Sequence, residues 1–353
     1  MELSAKERRS LADRVRALAP SVAAAVTEQF LQRHPDWVAK YGDRARVSCL
    51  EDAGYHLTFL SAALESGSPA AFADYARWTA CVLESRGSPT TCLTENLAQL
   101  SEAVSSRLAA DSREPVQEYI RAALNALTNG AADQRAAASN DPLSLTRSLY
   151  LQALLAGERK AALTIATEAL KDGASALDLY VEVLQATLHE VGQLWETNRI
   201  TVAHEHAATA ITQFVMAHVY ERLHRDAEVA PRGTLLITGL EGELHCVGAL
   251  MVADVLEVRG WTVHFIGTNL PQQAILDSIV EHQPDCVGIS ATMLFNVPVV
   301  RRLIEGIREQ GGKSKRIVLG GGAFRHAPHL WQELGADGHA VGLREVVGLF
   351  DQW

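Results

Sequence analysis

Residues 234–248 read TLLITGLEGELHCVG, and this stretch decides the fold of the second half of the chain. Its first seven residues are rich in the aliphatic and β-branched side chains that favour strands. The next few, Glu241-Gly242-Glu243-Leu244-His245, are too polar and too glycine-rich to continue a strand. From Val247 the pattern VGALMVADVLEVRG is helical. Strand, loop and helix in that order form one βα unit. Three more short β-rich runs follow at WTVHFIG (261–267), CVGIS (286–290) and RIVLGGG (316–322), separated by helical stretches such as PVVRRLIEGIREQG (298–311). Such alternation predicts a doubly wound parallel sheet over 231–353, and ligands of such sheets settle at the carboxyl ends of the strands. Function is therefore expected in the loops after those strands.

Upstream, helical patterns near 143–155, 158–171, 174–197 and 202–225, joined by short breaks, predict a four-helix bundle over 143–230. The segment TNGAADQRAAASNDP (128–142) is small and polar, with little to bury, and is expected to be a linker. Residues 1–127 carry apolar side chains at helical spacing, for example Leu57, Leu60 and Leu64, then Phe72, Trp78 and Val82. Gly42, Gly67-Ser68-Pro69 and Gly87-Ser88-Pro89 punctuate them, and the expectation is an all-helical domain.

The 353 residues suffice for two or three domains. Lys and Arg total 32 against 42 Asp and Glu, a net charge of −10, which removes the overall basic surface that direct nucleic-acid binding needs. Five scattered cysteines without a C-x-x-C pattern fit a reducing compartment and no zinc framework. No run of eighteen apolar residues occurs and the first residues, MELSAKERRS, are polar, so a cytoplasmic protein without membrane association is expected.

In the loop after the first strand, Glu243 and His245 lie two residues apart on one side of an extended segment. The carboxylate can hold the Nδ1 proton and leave Nε2 for a metal. Beyond Gly248 come 41 residues, then Ser290-Ala291-Thr292, then 27 more before Gly320-Gly321-Gly322, so each element falls at a strand end.

With these three elements in register the last third of the chain resembles the cobalamin-binding Rossmann-like domains. The resemblance implies that His245 is the lower axial cobalt ligand, in place of dimethylbenzimidazole, with Glu243 behind it. It also implies that Leu244, Cys246, Val247 and Gly248 complete the loop, that Ser290 and Thr292 line the slot for the nucleotide tail, and that Gly320, Gly321 and Gly322 let the backbone approach it. Most corrinoid enzymes of this kind carry Asp where this chain has Glu243; Glu is a feature of the light-sensing branch. The bundle adds Trp195 at the end of its third helix and Glu205-His206 at the start of its fourth, with nine residues between. That spacing is similar to the adenosylcobalamin photoreceptors of the CarH type, which implies that Trp195, Glu205 and His206 cover the upper face. The family's second axial His is Glu196 here, leaving His189, His204 and His206 as substitutes.

The segments EDAGYHLTFLSAALESGSP (51–69) and FADYARW (72–78) look like the globin-like domain of photocobilins, which pair cobalamin with a bilin. The resemblance implies biliverdin as a second chromophore near Tyr55, His56, Asp74, Tyr75, Arg77 and Trp78. The same side chains read equally as helix packing.

The expected function is accordingly a light-sensing signalling protein without catalytic residues, and so not an enzyme. Photolysis of the cobalt–carbon bond would alter domain packing, the assembly of a homo-oligomer and contact with a downstream protein. The alternative is a corrinoid shuttle subunit of a cobalamin-dependent methyltransferase, which uses the same bundle, sheet and axial His. A light-indifferent, cobalamin-responsive adaptor is a third reading.

Overall fold

The computed structural model describes residues 3–129, 142–224, 230–310 and 315–353. The linker expected over 128–142 falls almost wholly outside them. Two compact units are present. One comprises the described residues up to 129 with Leu294–Pro298 and His326–Glu333; the other comprises the described remainder.

The first unit is helical: α1 (Ala5–Arg33), α2 (Pro35–Tyr41), α3 (Asp43–Ser66), α4 (Pro69–Ser85), α5 (Thr90–Ser105) and α6 (Ala110–Thr128). Ser4 starts α1 with a capping box: its hydroxyl receives the Glu7 N–H, and the Glu7 carboxylate takes the Ser4 N–H at 2.8 Å. The helix breaks fall at Gly42, Gly67-Ser68 and 86–89, where the punctuation predicted them. Leu57, Leu60, Leu64 and Phe72 are buried, whereas Trp78 keeps 38% of its surface.

The second unit begins with α7 (Ser144–Leu155) and α8 (Arg159–Lys171). A third, longer helix is composite: α9 (Ala176–Asp178), a π-helical stretch (Leu179–Gln185) and α10 (Ala186–Glu196). The fourth is α11 (Val202–His224). The sheet follows, with β1 (Gly233–Gly239), α12 (Val247–Val258), β2 (Trp261–Phe265), α13 (Gln272–His282), β3 (Cys286–Ser290), α14 (Val297–Glu309, its first two residues in the first unit), β4 (Arg316–Gly320), β5 (Gly338–Ala340) and α16 (Leu343–Phe350); between β4 and β5, α15 (Leu330–Glu333) belongs to the first unit. The five strands are all parallel, in the order β2-β1-β3-β4-β5. The winding direction reverses between β1 and β3, and a crevice opens there at the carboxyl edge.

Helix α12 shows why the sequence around it is apolar on all sides. Ala249, Ala253 and Leu256 pack on the sheet core with Leu235, Ile237 and Phe350. Met251 and Val255, on its other side, join Tyr150, Leu179, Val183, Ile211 and Val215 of the bundle core. A helix buried on two faces leaves no polar stripe. Among the described residues no helix is long and apolar enough to cross a membrane.

Candidate functional site

Three loops converge at the carboxyl ends of β1, β3 and β4. Register places Gly239 beside Ser290, and Ser290 beside Gly320. The Ala291 N–H bonds the Gly320 carbonyl at 2.9 Å and the Ala323 N–H bonds the Ala291 carbonyl at 3.1 Å, lacing the last two loops together. The β1 loop is fixed to the β2 loop by the Gly242 N–H on Asn269 Oδ1 at 2.9 Å. Gly321 has φ +99° and ψ 172°, a region open essentially to glycine. A Cβ there would lie 2.3 Å from the Ala291 carbonyl oxygen, so the loops can approach this closely only without a side chain.

Glu243 is fully buried at the centre of this arrangement. Its Oε1 accepts from His245 Nδ1 at 2.6 Å and from the His245 backbone N–H at 2.9 Å, while Oε2 accepts from the Thr292 N–H at 2.6 Å. Burial acts to raise this carboxyl, but the bonds from the His245 ring, the Thr292 N–H and the His245 N–H outweigh it and hold it below the usual carboxylate range. The bond to Glu243 raises the His245 imidazole above its ordinary value against desolvation, and the charges of Glu243 and Glu205 add to the effect. With Nδ1 engaged by the carboxylate, Nε2 is the nitrogen left to face outward, on a side chain that is 60% exposed. Leu244 beside it is 73% exposed. Cys246 is half-buried and accepts from Gln213 Nε2 of α11, with 3.1 Å between Nε2 and Sγ. Ser290, Thr292 and Gly320 to Gly322 are each partly buried around the same crevice.

The donor set suits a metal already held by a macrocycle. Among the described residues no group of three or more His, Cys, Asp and Glu side chains could hold a bare ion. One imidazole with a carboxylate behind it can serve as an axial ligand to cobalt in a corrin ring, whose other donors come from the ring itself. A cobalamin thus fits these residues.

The hairpin between α10 and α11 turns toward the same edge. Glu205 acts electrostatically on His245, and His189 feels the charge of Arg325, just beyond the Gly320–Gly322 loop. Glu205 Oε2 pairs with His206 Nδ1 at 2.6 Å and its Oε1 accepts from Thr209 at 3.1 Å. His204 Nδ1 lies 2.7 Å from the Thr201 hydroxyl, which closes the turn into α11. Trp195 is partly buried at the end of α10, next to Glu196.

The six side chains considered for a bilin occupy three settings. His56 and Tyr75 are buried and bonded to each other at 2.7 Å, with Phe59 stacked on Tyr75 at 3.9 Å between ring centroids. Asp74 pairs with Arg77, and with His326 at 2.7 Å. Tyr55 and Trp78 are exposed.

A parallel sheet with its switch point under a buried carboxylate and the exposed imidazole bonded to it, beside a four-helix bundle, defines a cobalamin-binding module. Residues 147–220 and 233–347 each match a family model described as B12 binding domain. The dimethylamine corrinoid protein of Methanosarcina barkeri is 31% identical over 166 residues, 46% of this chain and 76% of that protein. Dimethylamine corrinoid protein 1 of Methanosarcina acetivorans is 29% identical over 191 residues, 54% of this chain and 88% of that protein. The solved monomethylamine corrinoid protein of Methanosarcina barkeri shares the fold at a TM-score of 0.51 and 20% identity, covering 59% of this chain and 97% of that one. The chain belongs to the family of cobalamin-binding corrinoid proteins.

These matches correct two expectations. The curated relatives are methylamine corrinoid proteins rather than photoreceptors, so the light-sensing function is set aside. The light-dependent homo-oligomer falls with it. The reading of Trp195, Glu205, His206 and Glu243 toward the light-sensing branch is set aside with it.

The hydrogen bonds of Glu243 make a specific prediction. In Glu243→Gln one end of the side chain becomes an NH2 group, which must face either the Thr292 N–H or the two donors of His245. Hydroxocobalamin binding, titrated by absorbance, is expected to weaken by about 10- to 100-fold. Binding within twofold of wild type would show that the carboxylate does not tune the ligand.

Proposed function

We propose that this chain is the corrinoid-carrying subunit of a methyltransferase system, passing a methyl group from a methylated amine, through a partner methyltransferase, to an acceptor. The supporting observation is the Glu243–His245 pair at the switch point, together with kinship to dimethylamine corrinoid proteins. His245 Nε2 would be the lower axial ligand, and Glu243 would hold the Nδ1 proton and ring orientation. Ser290, Thr292 and the Gly320–Gly322 backbone would admit the nucleotide tail. Bound there, the corrinoid supplies a cobalt centre able to accept and hand on a methyl group. Trp195, Glu205 and His206 would border the opposite side and limit water's access to it.

In this reading the group carried would be a methyl group. Adenosylcobalamin and biliverdin, both expected from the sequence, are tested beside it by equilibrium dialysis. The decisive experiment loads the protein with hydroxocobalamin, reduces it with titanium(III) citrate, and adds dimethylamine with a purified dimethylamine methyltransferase. Absorbance is expected to report methylation of the bound cobalamin that depends on both additions. A properly loaded protein that stays unmethylated with mono-, di- and trimethylamine and their methyltransferases would overturn the reading.

Proton and cobalt compete for Nε2, so axial ligation is pH-dependent. The imidazole pKa is raised by Glu243 and Glu205, so its protonated form persists to higher pH than for an isolated histidine. Because cobalt competes with that proton, the His-ligated spectrum of hydroxocobalamin-loaded protein is expected to be lost only at a pH below the raised imidazole value of the apoprotein, and to return on reversal. The same transition at the same midpoint in His245→Ala would exclude His245 as the ligand.

A further inference from the structure

The helix that carries His189 and Trp195 is not α-helical along its length. Between α9 and α10, Leu179–Gln185 is π-helical, and the Ala186 N–H reaches the Val181 carbonyl five residues back. Each such turn takes up one residue more than an α turn, an arrangement that is rare and concentrated at functional positions. This stretch is pinned at several points. Leu179, Tyr180, Val183 and Leu184 are fully buried. The Tyr180 hydroxyl donates to the buried Asp254 carboxylate of α12 at 2.7 Å. Arg344, at the start of α16, bonds both Asp178 and Glu182 at 2.8 Å. The Glu182 carbonyl accepts from Arg147 at 3.2 Å. Asp254 lies two turns along the helix that begins immediately after the His245 loop.

We propose that Tyr180 and Asp254 are a positioning pair that holds this wide turn open, and that the turn sets which face of α10 the bundle presents to the corrinoid. The proposal rests on the carrier reading for the identity of that ligand. Were the turn to close into an ordinary α turn, every residue after it would rotate by about 100° and shift by about 1.5 Å for each residue taken up. His189 would leave Arg325 and Trp195 would swing to another side of the bundle. The wide turn absorbs the extra residue, so Asp178–Tyr180 can face α12 and α16 while α10 faces the loops. Holding it open requires a fixed contact on one side. Tyr180 supplies that contact, anchored to the helix that also places the axial ligand.

The variant Tyr180→Phe removes one hydroxyl and keeps the ring in its buried site. In the apoprotein, amide hydrogen exchange over 181–196 is expected to rise at least tenfold, with α8 unchanged. In hydroxocobalamin-loaded protein, cyanide is expected to reach the upper face at least fivefold faster while His ligation persists. Deleting Val181 in the Tyr180→Phe background removes the extra residue itself, so α10 returns to register and both rates fall to within twofold of wild type. Faster exchange spread evenly over the bundle, or unchanged exchange over 181–196, would overturn the proposal. So would a folded double variant that fails to recover. If the double variant does not fold, the exchange pattern of Tyr180→Phe decides. Wild-type protein that binds no His-ligated cobalamin would count against the carrier reading, whereas the apoprotein exchange tests the positioning pair by itself.

Discussion

His245→Ala is expected to abolish the His-ligated, base-off spectrum of bound hydroxocobalamin and to weaken binding by at least about a hundredfold, equivalent to about 2.7 kcal/mol. The size of the effect follows from the donor set. His245 offers Nε2 from a side chain 60% open to solvent, with Nδ1 committed to Glu243, and the Glu243 carboxylate is too deeply buried to replace it. Folding should be affected less than binding. The exposed imidazole packs little, and Glu243 keeps its bonds from the Thr292 and His245 backbone N–H groups. One charge-assisted hydrogen bond lost from the carboxylate costs about 1.5–3 kcal/mol, a fall of about 5–10 °C in Tm for a unit of this size. Isothermal titration and thermal unfolding on the same sample separate the two quantities. A variant that binds within tenfold of wild type, with the His-ligated spectrum intact, would remove His245 from the site.

Gly321→Ala works in the opposite way, through the scaffold. The added methyl would sit 2.3 Å from the Ala291 carbonyl oxygen and 2.7 Å from its carbonyl carbon, both backbone atoms that cannot rotate away. The residue would also have to hold φ +99°, ψ 172°. Strain of this kind costs about 1–3 kcal/mol for the dihedrals alone, and displacement of the 291–292 segment adds to it. Because Thr292 donates to Glu243, moving that segment disturbs the carboxylate behind His245. The expected result is about 3 kcal/mol or more of lost stability by denaturant unfolding, together with loss of cobalamin binding. A variant as stable as wild type would mean that the two loops are less tightly laced than their hydrogen bonds indicate.

The parts of the site that could be read along the chain were those carried by residues close in sequence. Glu243 and His245 are two apart, so their bond could be foreseen from an extended loop. The four β-rich runs ended where a strand must end, at glycine and polar residues. Strand β5 escaped notice because Gly338–Ala340 is three residues long and contains no β-branched side chain. Thr292 was expected by resemblance to line a slot for the nucleotide tail, whereas its backbone bond to Glu243 spans 49 residues and leaves no local trace. The extra residue in the third bundle helix was equally hidden, since LYVEVLQ has an ordinary helical composition.

The functional misreading has a physical cause. Glu in place of Asp at position 243 adds one methylene, and the loop accommodates it while the carboxylate still meets Nδ1 at 2.6 Å. The Trp195 to Glu205 spacing records where a helical hairpin turns, and chain geometry of that kind does not by itself name a function.

Local order along the chain therefore determined the classes of element, the loop that bears the imidazole and the carboxylate beside it, because hydrophobic period and short-range hydrogen bonding act over a few residues. Only tertiary structure decided which strand ends share a crevice, that Glu243 is wholly shielded from water, and that Tyr180 meets Asp254 from 74 residues away. Those facts arise when distant segments bury surface against one another, and packing of that kind depends on the whole fold at once.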